Sequence, residues 1–429
     1  MMRRRESLRW IGGALVCATG AVLASIACGP GNLHYLMEGS PATEPTADDP
    51  TDPCKHARPP KAPPKQDEQK VVNLTFATND MRLDTGPTTA SGLTAPQGLD
   101  LDGICTCGVD AGPPSCKAPA GFQVTCDKVV RLDGGIGPDG KPLDGGTLEE
   151  GRDNVGGGLL SLALTQLPPV LGPDAIRKRI NDGFYAILVR IASWNGLPDD
   201  DQVAVSVYMS PGADMGKDEN ANLIKPKWDG NDRWTVEVGS VLDGKNKIGL
   251  ECEGGLPLCD AAALDLKAYV SGGKVVATFD NIPFSFGDSE ARLFIPFNSA
   301  TLIAKIRGSE TEPYTLDGEI SGRWPAEAII NAVGNLAVVD NDEPDGGVVA
   351  FCTDPGRFEF FRQSVCGSVD LADLKKNDNK DKDCTTMSQS VRFTAGIAHL
   401  GKVQQSNAET NASLCPKDKD LSCAPIWKK

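Results

Sequence analysis

The sequence runs to 429 residues with 43 basic and 58 acidic side chains, a formal net charge of −15. Such an acidic chain lacks the Lys/Arg surplus that neutralises phosphates, which sets nucleic-acid binding aside. Hydrophobic residues at 40% allow a buried core, while 47 glycines and 31 prolines favour short elements and turns over long helices.

Residues 1–27 read as an export signal. Arg3, Arg4, Arg5 and Arg9 form a basic end, Trp10 to Ile26 an apolar stretch of small residues, and Ser25-Ile26-Ala27 a small-x-small cleavage site. The stretch is too short and too glycine-rich for a permanent spanning helix, and no basic stop-transfer cluster follows it. From Leu23 to Cys28 the segment resembles a bacterial lipobox, although Ser25 stands where that pattern usually has Leu. The resemblance implies lipid on Cys28 and an exported, envelope-held protein, with the outer membrane as the expected address. Several acyl chains on one residue anchor firmly, since each buried methylene contributes roughly 0.8 kcal/mol.

Residues 28–70 carry nine prolines among Thr, Asp and Lys and read as an extended, disordered tether. Residues 71–150 hold one predicted strand, Val71 to Phe76, then Cys105, Cys107, Cys116 and Cys126 and a run of Asp-Gly turns. Those four cysteines could ligate zinc, but Cys105-x-Cys107 lacks the two-residue gap of zinc knuckles, and export favours oxidation.

The main domain is placed at residues 151–373. Pro173 to Asn181 is a predicted helix with Gly183 as its stop. Phe184 to Ala192 is a continuous apolar run suited to a buried strand. Period-two alternation then recurs through Val203 to Met209, Trp234 to Val238, Leu264 to Val270, Leu302 to Ile306 and Leu316 to Ser321. Gly272-Gly273 reads as a hairpin turn, and a helix follows Pro325 with Ile329, Val333 and Leu336 on one face. This pattern predicts a mainly β fold: an antiparallel, jelly-roll-like β-sandwich with one or two short helices, a closed barrel being the alternative. Residues 374–429 read as a polar, disulfide-containing tail.

With Cys17 and Cys28 removed from the count, twelve cysteines remain, an even number that in an exported chain reads as disulfides. Proximity in sequence pairs Cys252 with Cys259, Cys415 with Cys423 and Cys352 with Cys366.

Asp199, Asp200 and Asp201, together with Asp340 and Asp342, form oxygen-rich loops of the kind that hold calcium, though turn chemistry alone also favours Asp and Asn there. Trp228, Asp229, Asn231 and Asp232 place an indole beside oxygen atoms, a patch suited to a glycan or a cation. The tether takes two of the three histidines, leaving His399 without a recognisable nucleophile motif, so no catalytic residue is assigned.

The blocks Arg152-Asp153-Asn154-Val155-Gly156-Gly157-Gly158, Ser193-Trp194-Asn195-Gly196 and Ile320-Ser321-Gly322-Arg323-Trp324-Pro325 resemble a group of uncharacterised lipoproteins from myxobacteria. That resemblance implies no activity and carries over no functional residue. The expected role is a surface-displayed binding or structural module, held to the membrane by lipid and meeting a glycan or another envelope protein. The competing expectation is a polysaccharide hydrolase using a carboxylate pair.

Overall fold

The computed structural model describes residues 52, 54–66, 70–83, 98–104, 114–122, 130–131, 148–149, 152–157, 159, 173–216, 218–219, 224–252, 259–287, 292–294, 296–339, 348–405 and 414–427. The export signal and Cys28 lie outside them, as do Asp340, Asp342, Cys105, Cys107 and Cys126.

Eight strands form the frame: β1 (Val72–Arg82), β2 (Ala186–Trp194), β3 (Asp200–Ser210), β4 (Ala263–Ser271), β5 (Lys274–Ile282), β6 (Phe297–Arg307), β7 (Thr315–Pro325) and β8 (Thr386–Ile397). Each pairs antiparallel with its neighbour in sequence, and β8 returns to pair with β1. The sheet is therefore a closed up-and-down barrel, and the expected sandwich is overturned. Alternation along a strand specifies one buried face, which a sandwich and a barrel require equally. What separates them is whether the first and last strands meet, and β1 pairs with both β2 and β8. Two of the eight staves, β1 and β8, lie outside residues 151–373.

The inward positions are apolar and close-packed: Val203, Val205, Val207 and Met209 from β3, Leu302 and Ala304 from β6, and Ile320 and Trp324 from β7. Phe284, Phe297 and Trp324 stack together, with centroids 4.8–6.2 Å apart. Gly318 points inward where a Cβ would meet Ile303 O at 2.3 Å, so this crossing of β6 and β7 tolerates only glycine. Outward positions include Lys305 on β6, Asp317 on β7 and Arg392 on β8. An apolar interior and a charged exterior are the reverse of a lipid-spanning barrel, whose apolar band faces out. No described helix is long and apolar enough to cross a membrane.

Strand direction sorts the connections. Short links β2–β3, β4–β5 and β6–β7 emerge at one end, the second through Gly272-Gly273, both at positive φ. All long connections leave the opposite end, where α1 (Pro173–Asn181), α2 (Ala326–Gly334) and α3 (Pro355–Gly367) add Ile176, Ile180, Ile329, Ile330, Val333 and Phe358 to the core. The predicted strand around Trp234 is not a stave. Arg233–Glu237 pairs in parallel with His399–Gln404, and this ribbon covers Ala77, Leu188 and Tyr208 on the outside of the barrel.

The second half of the expected tether is also ordered. Cys54 and Ala57 are fully buried, the Ala57 carbonyl accepts the Asp100 N–H, and the Tyr269 hydroxyl donates to the Pro60 carbonyl at 2.5 Å. Prolines already fixed near an extended φ reduce the entropy lost in laying this segment along the wall.

All nine described cysteines are disulfide-bonded. Cys252 bridges Cys259 as expected. The other two local pairs are exchanged: Cys352 bonds Cys415 and Cys366 bonds Cys423, so both bridges tie the C-terminal segment back to the region of α3. Cys116, weighed as a zinc ligand, bonds Cys384 just before β8.

Candidate functional site

On the outer wall, β5 to β8 present a shelf of alternating residues. In register across the strands, Lys274 stands directly opposite Lys305, Lys305 opposite Asp317, and Glu319 opposite Arg392. Three chain segments lie over this shelf. The first is His56 to Pro60, from the proline-rich stretch. The second is Gly98 to Gly103, whose Gly98 N–H donates to Glu319 at 2.9 Å. The third brings Arg152, whose guanidinium donates to the carbonyls of Gly98 at 2.7 Å and His56 at 3.2 Å.

Between shelf and roof is a cavity of about 320 Å³. Its charged lining is Arg58, Arg152, Lys274, Lys305, Arg307 and Arg392 against Asp317 and Glu319, with Pro60, Leu99 and Ile303 as apolar surface. Arg58 is committed to Asp52 and, at 2.7 Å, to Asp100. Five cations then face two carboxylates, an excess of three positive charges on a chain whose net charge is −15. Arg307 at 3.3 Å and Arg392 at 3.7 Å share Asp317. Glu319, held by Gly98 and the Ser390 hydroxyl, is raised by loss of hydration, which the Arg152 charge partly offsets. Lys274 and Lys305 make no ion pair with any described residue. Like charges directly opposed across a sheet are destabilising, so this pair is where an anion gains most.

The roof segments themselves carry the opposite arrangement. Asp100, Asp102 and Asp153 each bring one carboxylate oxygen within 4.8 Å of the others. Burial, then the neighbouring Asp102, raises Asp100 to about 7 against the pull of Arg58. Burial also raises Asp153 well above the usual carboxylate range, with Asp102, Asp100 and Asp370 adding to it. Among the described acidic residues, these three are the set whose oxygens could share a cation.

The residues singled out in the sequence stand elsewhere. Asp199 accepts the Gly272 N–H, Asp200 the N–H groups of Asn195 and Gln202, and Asp201 the Gln66 N–H, so each carboxylate holds a chain turn. Asp232 is 1% exposed and accepts the N–H groups of Lys227 and Trp228 at 2.9 and 2.6 Å. Asp229 accepts the Asn231 N–H, and Trp228 leans on Trp234 with centroids 5.6 Å apart. This patch is a loop organised around its own carboxylates.

The cationic pocket escapes sequence reasoning because its members are spread from His56 to Arg392. The available signal was the outward phase of the alternating strands, which carries Lys305 and Arg307. Comparison with protein-family models, curated proteins and solved structures finds no match for this chain.

Proposed function

We propose that the protein is an exported, envelope-held binding module that captures an anionic ligand in the pocket on the outer wall of its barrel. The observation that carries this reading is the directly opposed Lys274 and Lys305, exposed at the edge of the cavity and without an ion pair to any described residue, on a lining that holds three more positive than negative charges. Export is supported by the disulfide bonding of every described cysteine, as expected for an oxidising compartment. Attachment through lipid on Cys28 has its own test. Cys28→Ser should move the protein from the membrane to the soluble fraction, and retention at the membrane would contradict it.

Within this pocket the carboxylates open to polysaccharide hydrolysis are Asp317 and Glu319, which share one face of β7. Both are engaged: Asp317 with two arginines, and Glu319 as the anchor of the Gly98 roof. The binding reading is therefore preferred.

Thermal melting in the presence of phosphate, sulfate and citrate tests it. A ligand at a hundredfold its Kd adds roughly 2.7 kcal/mol of stability, so at least one of these anions should raise the melting temperature by several degrees. Lys274→Glu/Lys305→Glu should abolish that rise. Both side chains are exposed, so the variant should still fold, with a lower starting melting temperature because the reversal at 305 sets a carboxylate opposite Asp317. An anion effect that survives charge reversal would remove the pocket from consideration.

A further inference from the structure

Resting on the anion-binding reading, we infer that the pocket takes a phosphate monoester borne on a small ring, the phosphate at Lys274, Lys305 and Arg307 and the organic part against Pro60, Leu99 and Ile303. Three observations lead there. First, the charge to be balanced is an excess of three. A phosphate monoester carries close to two negative charges at neutral pH, whereas a sulfate ester or a single carboxylate carries one. Second, the cations differ in kind. Lys274 and Lys305 are point charges without an ion pair to any described residue, while Arg307 is shared with Asp317 at 3.3 Å and can turn a planar fork toward a tetrahedral oxyanion. Third, the lining is divided. The lysines and Arg307 lie toward the hairpin end of the barrel, and Leu99 and Pro60 belong to the roof. A volume of about 320 Å³ lies at the small end of ligand pockets, room for one ring and its phosphate.

This chemistry has two sources in a cell envelope: a free sugar phosphate, or the phosphorylated sugar headgroup of a glycolipid. The test uses the mature chain, with calorimetric titration against glucose 6-phosphate, glucose 6-sulfate and glucuronate at matched ionic strength. A flotation assay with phosphatidylcholine vesicles containing lipid A runs in parallel. Glucose 6-phosphate should bind at least tenfold more tightly than the other two. Its affinity should fall as the pH drops below about 6, where the ester takes up its second proton. Lys274→Ala/Lys305→Ala should lose that binding while melting no lower than the wild type. Flotation with lipid A vesicles but no titration by the soluble ester would assign the ligand to the glycolipid, and the converse to the free ester. Equal or tighter binding of the sulfate or the uronate would overturn the phosphate assignment while leaving an anion pocket in place. Failure of every ligand in both assays would overturn both.

Discussion

Between pH 5 and pH 8 the folded protein is expected to lose stability as the pH rises. Asp100, Asp153, Glu319, Asp265 and Asp378 are all raised, in each case first by loss of hydration. A carboxyl raised in the folded state binds its proton more tightly there than in the unfolded chain. Its contribution is fully present below the unfolded value and is lost as the pH climbs through the folded one. For Asp100 the window runs from 3.8 to about 7. At 1.36 kcal/mol per pH unit, that single group accounts for up to roughly 4 kcal/mol. Asp182, held low by Lys178 and Lys225, and Asp354, held low first by the Arg357 N–H, act in the opposite sense. Their contribution is lost only below about pH 4, outside this interval. Urea unfolding with a chelator present keeps protons as the only cations in play. Asp100→Asn should flatten the profile and stabilise the protein at pH 8. A wild-type protein more stable at pH 8 than at pH 5 would mean that the Asp100, Asp102 and Asp153 cluster is satisfied in its ionised form.

Arg323→Met should cost about 3–5 kcal/mol, the range for removing one partner of a buried ion pair. Arg323 points outward from β7 yet is fully buried, because the segments around Leu101 and Ala372 cover it. Its guanidinium makes two 2.5 Å bonds to Asp378 and donates at 3.1 Å to the carbonyls of Ala372 and Leu101. One side chain thus fastens the barrel wall to two of the segments laid over it. Methionine fills much of the volume but takes the guanidinium donors from the Asp378 carboxylate and the Leu101 carbonyl, while the Ala372 carbonyl keeps the Thr386 hydroxyl. Lysine keeps the charge but lacks the planar fork, so Arg323→Lys should recover only part of the loss. Adding Asp378→Asn to Arg323→Met should also recover part, since it removes the stranded charge. A loss below 1 kcal/mol for Arg323→Met would show that water replaces the guanidinium and that the cover is loosely held.

The staves whose sequence alternates were legible. Val203 to Met209 and Leu316 to Ser321 alternate plainly, and their inward members are the observed core, although the outward Ser206, Tyr208 and Ser321 are themselves buried under covering segments. β8 was not legible. Its outward Ser388 and Ser390 are buried under the cover, where Asp370 takes the Ser388 hydroxyl and Asn154 the Ser390 N–H. Read along the chain, Thr-Met-Ser-Gln-Ser looks like a polar tail because its partners are more than two hundred residues away or on another loop. Helix α3 left a local signal that outweighs its weak apolar pattern: Asp354 as N-cap, accepting the Arg357 N–H at 3.0 Å, followed by Pro355. Among the bridges between described cysteines, pairing followed sequence proximity at Cys252–Cys259 alone. Elsewhere helix α3 and the C-terminal segment bring together thiols some sixty residues apart. The pocket depends on closure itself, since only a curved wall with a roof turns Lys274, Lys305 and Arg392 from scattered surface charges into one lining.

The central claim, that this lining holds an anion, is tested most directly by locating one. Crystals of the mature chain soaked in sodium tungstate, a tetrahedral dianion, would be measured at the tungsten absorption edge. An anomalous peak lying between Lys274, Lys305 and Arg307, absent from Lys274→Glu/Lys305→Glu crystals, is the predicted result. Peaks only at other surface sites, or an undiminished peak in the variant, would contradict the account.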